Sequence, residues 1–525
     1  MHFREWNWKF SAKAESRLRS RRITCPRGRG LGGTSSINGM VYVRGHARDY
    51  DAWEAAGAAG WSWCDVAAYF KRMENYNGPE DFTDLRGRDG PLHVKVGDNA
   101  LETPLFDEFI KAGSAVGYGD LGDGDYNGVR QEGLGLMPAT IFHSGPREGE
   151  RCSTAAAYLE LARAKYDDEI AVATRALAAK VLLDDEDRAV GVRCVDGREF
   201  LGGEVVVCAG AIGSPHLLQV SGIGGPEPRI HSPGVGENLQ DHLEFYLQFA
   251  CDSSSLAPYL AWHRKLAIGA RWMLAGTGLG ATNHFEAGGF LRSRAGVEYP
   301  DVQLHFLPVA ISYDGVTVPR TPTGHSFQLH VGCNRSPSRG HVKALSNDIT
   351  HPPDIDFNYM STDDDWRSFR RALRLSREIV ARMDVPGVLE VSPAVDDDAQ
   401  IDAYLAEHLE SAYHPCGTCK MGAPDDDAAV CDPDGSVRGA KNLRVVDASL
   451  FPTIPNGNLN APTIMVAEKL SDTILGNTPP PVPLAALQNP HGWIDPTWQS
   501  RQRVAASTSA SAGEPSSSSS SSSSR

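Results

Sequence analysis

Apolar positions along the 525 residues recur with two periods, one helical and one strand-like. The helical period predicts amphipathic helices over 61–75, 102–116, 153–165, 258–275, 363–383 and 398–412. Strand-like runs cluster in two places. EIAVATRA (169–176), AAKVLLDD (178–185), AVGVRCV (189–195) and EVVVCAG (204–210) predict an antiparallel meander ending in a buried strand. IGSPHLLQVSGIG (212–224) follows, with Ser214 and Pro215 placed to begin a helix. Strand, glycine and helix in that order form an element of a doubly wound sheet. NHFEAGGFL (283–291), DVQLHFLPVA (301–310), FQLHVGC (327–333) and GHVKAL (340–345) predict a second, largely antiparallel sheet. RVVDAS (444–449) reads as one more strand, followed by a Pro/Asn/Gly turn and an apolar helical run. The expected fold class is α/β (α+β), with a doubly wound-like part and a part built on an antiparallel sheet and helices.

Elsewhere the pattern is weaker. Residues 1–27 hold many arginines and little periodicity, and read as solvated surface. Gly28, Gly30 and Gly33 fit G-x-G-x-x-G, with Asp49 downstream. The dinucleotide fingerprint needs a buried strand directly before it, and RRITCPR, with Pro26, does not read as one. Gly32 and Gly33, followed by Thr34, Ser35 and Ser36, still offer close backbone approach and hydroxyls to a phosphate or a flat ring. GVGENLQDHL (234–243) reads as a polar loop. The main globular region is expected to end near Asn477. The segment 478–525 finishes in nine serines and is expected to be disordered.

Composition narrows the function. A net charge of −15 argues against nucleic acid as the main partner. No apolar run is long enough to span a membrane, while peripheral membrane contact stays open. Residues 1–10 lack the apolar core of a secretory signal. The 10 cysteines are scattered, and Cys416 and Cys419 form a single C-x-x-C with no second pair, so no metal site is expected.

The candidate chemistry lies near the C-terminus. His414, in SAYHPCGTCKMG (411–422), is an acid/base candidate because its ordinary pKa is near neutral. Asn458 and Asn460 stand where the turn meets the apolar helix, beside free helix N–H groups. Read alone, these residues serve equally well as a packed histidine and two caps.

Four stretches together resemble the glucose–methanol–choline oxidoreductase family: GRGLGGTSSINGMVYVRG, GAIGSPHLLQVSGIG, HPCGTCKMG and VVDASLFPTIPNGNLNAPTIM. Within the family, NGMVYVRG, PGVGENLQDHLE, GTGLGATNHFEAGGFLRS, HFLPVAISY, RSPSRGHV and FNYMS are most similar to choline-oxidising members. The resemblance covers roughly residues 20–475. It implies non-covalently bound FAD and oxidation of a small alcohol, with choline and glycine betaine synthesis as the specific expectation. Ile37 replaces the histidine that carries FAD covalently in some members. The resemblance assigns His414 as the acid/base group, or alternatively as an electrostatic stabiliser of the alkoxide, and Asn458 as its partner. It assigns flavin contacts to Gly32, Gly33, Thr34, Ser35, Asn38, Gly39, Met40, Val41, Ala178, Asp447, Ala448, Asn460 and Ala461. It assigns the cation site to Glu286, lined by Phe285 and His305. It further implies an FAD domain over 20–240 and 410–477, a substrate domain over 241–409, an electron acceptor of unspecified identity, and a mitochondrial or membrane-associated location. The family's opening strand, G-x-G-x-x-G turn and helix are not found upstream of Gly28, and the connection GIGGPEPRIHSPGVG is short. Two readings follow: a flavin alcohol dehydrogenase, or a truncated remnant that binds no flavin.

Overall fold

The computed structural model describes residues 6–80, 84–118, 121, 125–225, 227–312, 321 and 323–489. Helices and strands are mixed, and most ladders are antiparallel. The expected tail beyond residue 489 lies outside the described residues. Its first part does not follow the expectation. Leu484–Gln488 is a short helix whose Ala485 and Ala486 are buried in the core with Trp63, Val66 and Phe70.

The N-terminal region also departs from the sequence reading. Phe10–Glu15 and Arg21–Cys25 form an antiparallel hairpin with Phe10 opposite Cys25. In RRITC, Ile23 and Cys25 point inward while Arg22 and Thr24 stay exposed. The arginines are not merely solvated. Arg21 pairs with Glu410 and donates to Leu409 O at 2.8 Å, and Arg19 pairs with Glu407. A strand therefore does precede Gly28, but it belongs to a hairpin. The glycines then lead into one 3-10 turn, Gly33–Ser36, rather than a long helix.

The predicted strand–glycine–helix unit is present. β1 (Val205–Val207) leads into α1 (Gly210–Val220). The helix starts earlier than expected, which places Pro215 in its second turn. Pro215 lacks the N–H that Ala211 O would accept, and Thr418 Oγ1 supplies a substitute at 2.7 Å. Among the described residues, EIAVATRA forms no ladder. It is mostly exposed, and Arg175 breaks its extended run with φ of 53°.

The largest sheet has six strands. Its centre is β2 (Leu243–Cys251), which follows the segment read as loop. After the exposed helix α2 (Trp262–Ala275) come β3 (Ala287–Leu291), β4 (Val302–Leu307) and β5 (His325–Cys333). The order is β3-β4-β5-β2, with Leu389–Glu390 and Glu410–Ser411 short partners of β2. GHVKAL does not join this sheet. Its strand, His341–Lys343, pairs with Asp354–Asp356 instead.

Register decides which side chains share a face. Phe245, Leu247 and Phe249 stand opposite Val331, Leu329 and Phe327, while Leu304 and Phe306 stand opposite Val331 and Leu329. All eight are at most 3% exposed. They pack with Phe106, Phe109 and helix α3 (Asp363–Val380). The opposite face carries Glu244, Tyr246, Gln248, Gln303, His305, Gln328, His330 and, just before β3, Glu286.

β6 (Leu443–Val445) runs parallel to β1, with Val445 opposite Val207. The chain then turns through PNGN (455–458) into α4 (Asn460–Leu475). Among the described residues, no helix is long and apolar enough to cross a membrane, and no His/Cys/Asp/Glu group has metal-binding geometry.

Candidate active site

Two loops fix His414. Gln240 and Cys416 exchange backbone hydrogen bonds at 3.0 and 3.1 Å, which zips the segment before β2 to the HPCGTC loop. Asp241 is the knot. Its carboxylate accepts from His414 N at 2.7 Å, His242 N at 2.9 Å, Tyr359 Oη at 2.6 Å and Ser411 Oγ at 2.5 Å. Tyr413, just before His414, has φ of 66°. Arg27 donates to Tyr413 O, so the hairpin end is tied to the same loop. Cys416 and Cys419 are buried free thiols, as a reduced structural pair requires.

Asn458 is fixed by its turn. Gly457 has φ of 79°, and a Cβ there would lie 2.7 Å from Val43 Cγ1 and 2.9 Å from Phe290 Cζ. Only glycine admits that turn without displacing its neighbours.

The imidazole of His414 lies between His242 and Asn458. His414 Nδ1 is 3.1 Å from His242 Nδ1, and His414 Nε2 is 3.2 Å from Asn458 Nδ2. The proton positions follow from the partners. His242 Nε2 lies 3.0 Å from Asn334 O, which can only accept, so His242 carries its proton on Nε2. His242 Nδ1 therefore accepts, and His414 Nδ1 donates to it. That leaves His414 Nε2 with its lone pair directed to the Asn458 amide. Gln303 Nε2 holds the other end of that amide, donating to Asn458 Oδ1 at 3.0 Å. Burial and the neighbouring His242 hold the His414 pKa well below its ordinary value. Burial likewise takes His242 and His305 down to about 4. His414 is thus a neutral base in a fixed tautomer.

The polar face of the sheet continues from these groups. Ile311 N donates to Gln328 Oε1 at 2.8 Å, which turns Gln328 Nε2 toward His330 Nε2, 2.7 Å away. His330 therefore donates from Nδ1 to Glu244 Oε1 at 3.1 Å. Burial alone would raise the Glu244 carboxyl, but His330 and His305 outweigh it and hold the group below its ordinary value. The Tyr246 ring lies 3.9 Å from that of His330, and Phe285 meets His330 and His305 edge-on at 5.1 and 5.8 Å.

Of the residues expected to meet a cation, Phe285 and His305 therefore border this cluster. Glu286 stands just before β3. Its carboxylate accepts from Asn99 N at 2.6 Å and Thr282 Oγ1 at 2.7 Å, which ties the segment around Asn99 to β3. Burial raises its pKa, only partly offset by those two donors.

The glycine-rich loop runs between the two fixed segments, from Arg27 against Tyr413 to Val43 against Gly457. Within it, Arg151 ties together Ser35 O, Asn38 O and Asn38 Oδ1. Thr34 Oγ1 accepts from Gly28 N, Ser35 Oγ donates to Gly32 O, and Gly39 O accepts from Asn283. Met40 has φ of 64° and Val41 is buried against Phe290. A Cβ placed on Gly33, Gly39 or Gly210 would meet nothing within 4 Å, so the loop and the start of α1 border open space. Asp447 joins β6 to α1 by accepting from Gly210 N at 2.8 Å, and it also caps Ser449. Ala448 follows it, and Asn460 and Ala461 open α4. Ala178 begins the strand Ala178–Leu183, away from the His414 loops in sequence and half-buried.

Sequence reasoning missed Asp241, His242, Glu244, Gln303, Gln328 and His330. A signal was present. HLEFYLQF (242–249) alternates polar and apolar strictly, and Gln-Leu-His occurs at 303–305 and again at 328–330, where His305 and His330 pair across the strands.

The comparisons agree with this geometry. Two GMC oxidoreductase family models match residues 11–244 and 336–467. The chain is 48% identical over 520 residues to the oxygen-dependent choline dehydrogenase of Rhizobium rhizogenes, covering 96% of this chain and 90% of the relative. That of Vibrio vulnificus is 47% identical over 520 residues, covering 96% and 89%. Pyridoxine 4-oxidase from Mesorbium loti superposes with a TM-score of 0.77 at 27% identity, covering 90% of this chain and 89% of that one. A variant of Aspergillus oryzae formate oxidase, studied for its FAD modification, superposes with a TM-score of 0.79 over 90% and 89%, and at 23% identity shows the fold alone. With the strand–helix unit, the glycine-rich loop and the His414–Asn458 pair in one site, the chain belongs to the GMC oxidoreductase family.

Proposed function

We propose that this FAD-dependent oxidoreductase of CH–OH groups oxidises choline to betaine aldehyde. The reading is supported by relatives named as choline dehydrogenases over nearly the whole chain. The observation that carries the chemistry is the His414 Nε2 lone pair beside the Asn458 amide.

The residues present suit a flavin. Gly33, Gly39 and Gly210 leave room for a flat ring or a chain to lie against backbone. Asn38 and Met40 would meet the ring, and Asp447, Ala448, Asn460 and Ala461 would meet the chain that leads from it. When bound, FAD supplies the acceptor for the hydride that leaves the alcohol carbon.

The protein's own part is proton removal and positioning. An alcohol gives up hydride readily only as its hydroxyl proton departs. His414 Nε2 takes that proton, while the Asn458 amide holds the hydroxyl oxygen in line with it. A positioned base of this kind contributes about 10²–10⁴-fold. His242 then faces the protonated His414 across their Nδ1 atoms and, by accepting its hydrogen bond, keeps the imidazole oriented. The test is aldehyde formation from choline by purified, flavin-containing protein, followed with oxygen and with an artificial electron acceptor. Protein that retains flavin and leaves choline unoxidised with both acceptors would refute the reading.

A further inference from the structure

We infer that α2 is a surface-docking helix: its outward apolar arc, flanked by Arg264, Lys265 and Arg271, seats on an anionic lipid surface. The helix carries none of the residues placed in the active site, so this inference stands apart from the choline reading.

The inner side of α2 is fixed by close contacts. Trp272 Nε1 donates to Gly149 O at 2.9 Å. A Cβ on Gly149 would lie 2.1 Å from Gly276 O, so the end of the helix sits directly on that loop. A Cβ on Gly280 would lie 2.7 Å from Trp272 Cβ and 3.6 Å from Ile268 Cγ2. Gly276 closes the helix in the left-handed conformation. Leu260, before the helix, and Leu279, after it, pack on the same apolar cluster around Leu256, Leu307 and Val309.

The outer side has no such purpose within the chain. No residue of α2 is buried. Trp262, Leu266, Met273 and Leu274 are between 67% and 89% exposed. At about 100° per residue, Trp262, Met273 and Leu266 share an arc of about 40°, with Leu274 about 80° to one side. Ile268 lies on the opposite, inner side. His263 is the polar side chain within the outer arc, edge-on to Trp262 at 5.9 Å. Lys265 borders one edge of the arc, and Arg271 and Arg264 border the other. Large apolar side chains gathered on one exposed arc mark a surface that a partner covers.

Charge selects the partner. From Ser253 to Phe285 the sequence holds no Asp or Glu, in a chain whose net charge is −15. Among the described residues, the three cations of α2 form no ion pair. Arg264 lies over the Tyr259 ring at 5.1 Å, and Arg271 donates to Thr277 Oγ1 at 3.4 Å. A second copy of the chain fits this face poorly. A two-fold contact would bring the same face together and set three cations against three, with no carboxylate nearby in sequence to answer them. An anionic lipid layer answers all three and takes the apolar arc between them. Trp262 opens the helix as the amphipathic ring that favours the headgroup level.

The experiment mixes the flavin-containing full chain with vesicles of phosphatidylcholine, with or without phosphatidylglycerol, and measures the bound fraction by co-flotation. Wild type should float with the anionic vesicles, and less so as salt rises. Leu266→Glu combined with Met273→Glu should weaken binding at least about tenfold. Each of Arg264→Gln, Lys265→Gln and Arg271→Gln should weaken it by up to about fivefold. Leu201→Glu, at an exposed leucine on another element, should bind as wild type does. Brominated lipid should quench tryptophan fluorescence less in Trp262→Phe than in wild type. Melting temperature, flavin absorbance and turnover in solution should stay unchanged in the α2 variants, since none of the altered side chains is buried. Wild type that stays in solution with anionic vesicles overturns the inference, as does equal binding to uncharged vesicles. Binding that survives Leu266→Glu with Met273→Glu overturns it too. A dimer that this pair of substitutions converts to monomer, while neither protein floats, would assign the face to a second copy instead.

Discussion

The two faces of the large sheet are built by the same strands and obey opposite rules. On one, Phe245, Phe249, Phe306 and Phe327 bury their rings, with Phe249–Phe327 and Phe306–Phe327 stacked at 5.1 and 5.2 Å. On the other, His305, His330, Gln303, Gln328 and Glu244 are buried polar groups, each engaged by a neighbour. Burying apolar area stabilises, while burying polar groups costs free energy unless each is hydrogen-bonded. The apolar face thus sets the register, and that register holds the polar face in place. A slip of one residue would exchange the two faces completely.

The largest effect expected is on the chemistry that the polar face adjoins. His414→Ala should lower kcat by about 10²–10⁴-fold with flavin absorbance retained and the melting temperature little changed. A loss of stability that matches the loss of rate would break the division between the faces. Phe327→Ala tests the other side. It should cost about 3–5 kcal/mol in denaturant unfolding, while the choline KM of the protein that remains folded stays put.

Gly457→Ala should affect both faces at once. Its left-handed turn and the contacts with Val43 and Phe290 predict about 1–3 kcal/mol of strain, together with a reduced kcat as Asn458 moves. Normal kcat with lowered stability would show that the amide position tolerates the shift.

The smallest effect is on pH dependence. Folding depresses His242 and His305 to about 4 from 6.5. The unfolded chain then binds those protons more tightly, so their stabilisation is full above pH 6.5 and declines as pH falls toward 4. Glu15, raised to about 7, and Asp49, raised to about 6, are mainly shifted by burial and act with the opposite sign, adding stability as pH falls. The melting temperature should therefore fall between pH 6.5 and 4, and fall more steeply in Glu15→Gln. An unchanged slope in that variant would show that Glu15 does not compensate the histidines.

Much of this was legible in sequence because it is local. The β1–α1 unit, the strands β3 to β5 and the His414 and Asn458 motifs all announce themselves within a dozen residues. The misses are tertiary. The Arg21–Cys25 strand was hidden because Arg21 and the preceding Arg19, which looked like solvated charge, pair with Glu410 and Glu407 far along the chain. EIAVATRA has strand composition but forms no ladder among the described residues. Glu244 was missed because only the pairing of β2 with β5 places it on the polar face of the sheet.

The tie between Arg27 and Tyr413 has a consequence for how the protein is made. The two residues are 386 apart in sequence. At about 5–20 residues per second, a ribosome delivers the second roughly 20–80 s after the first. Throughout that interval the glycine-rich loop lacks its anchor, β1 lacks β6, and the growing sheet presents unpaired edges to the cell. The site closes only when nearly the whole polypeptide has emerged, so a nascent chain released early carries exposed strands and no chemistry. Production of this enzyme should therefore depend on chaperone supply more than on the stability of the finished fold.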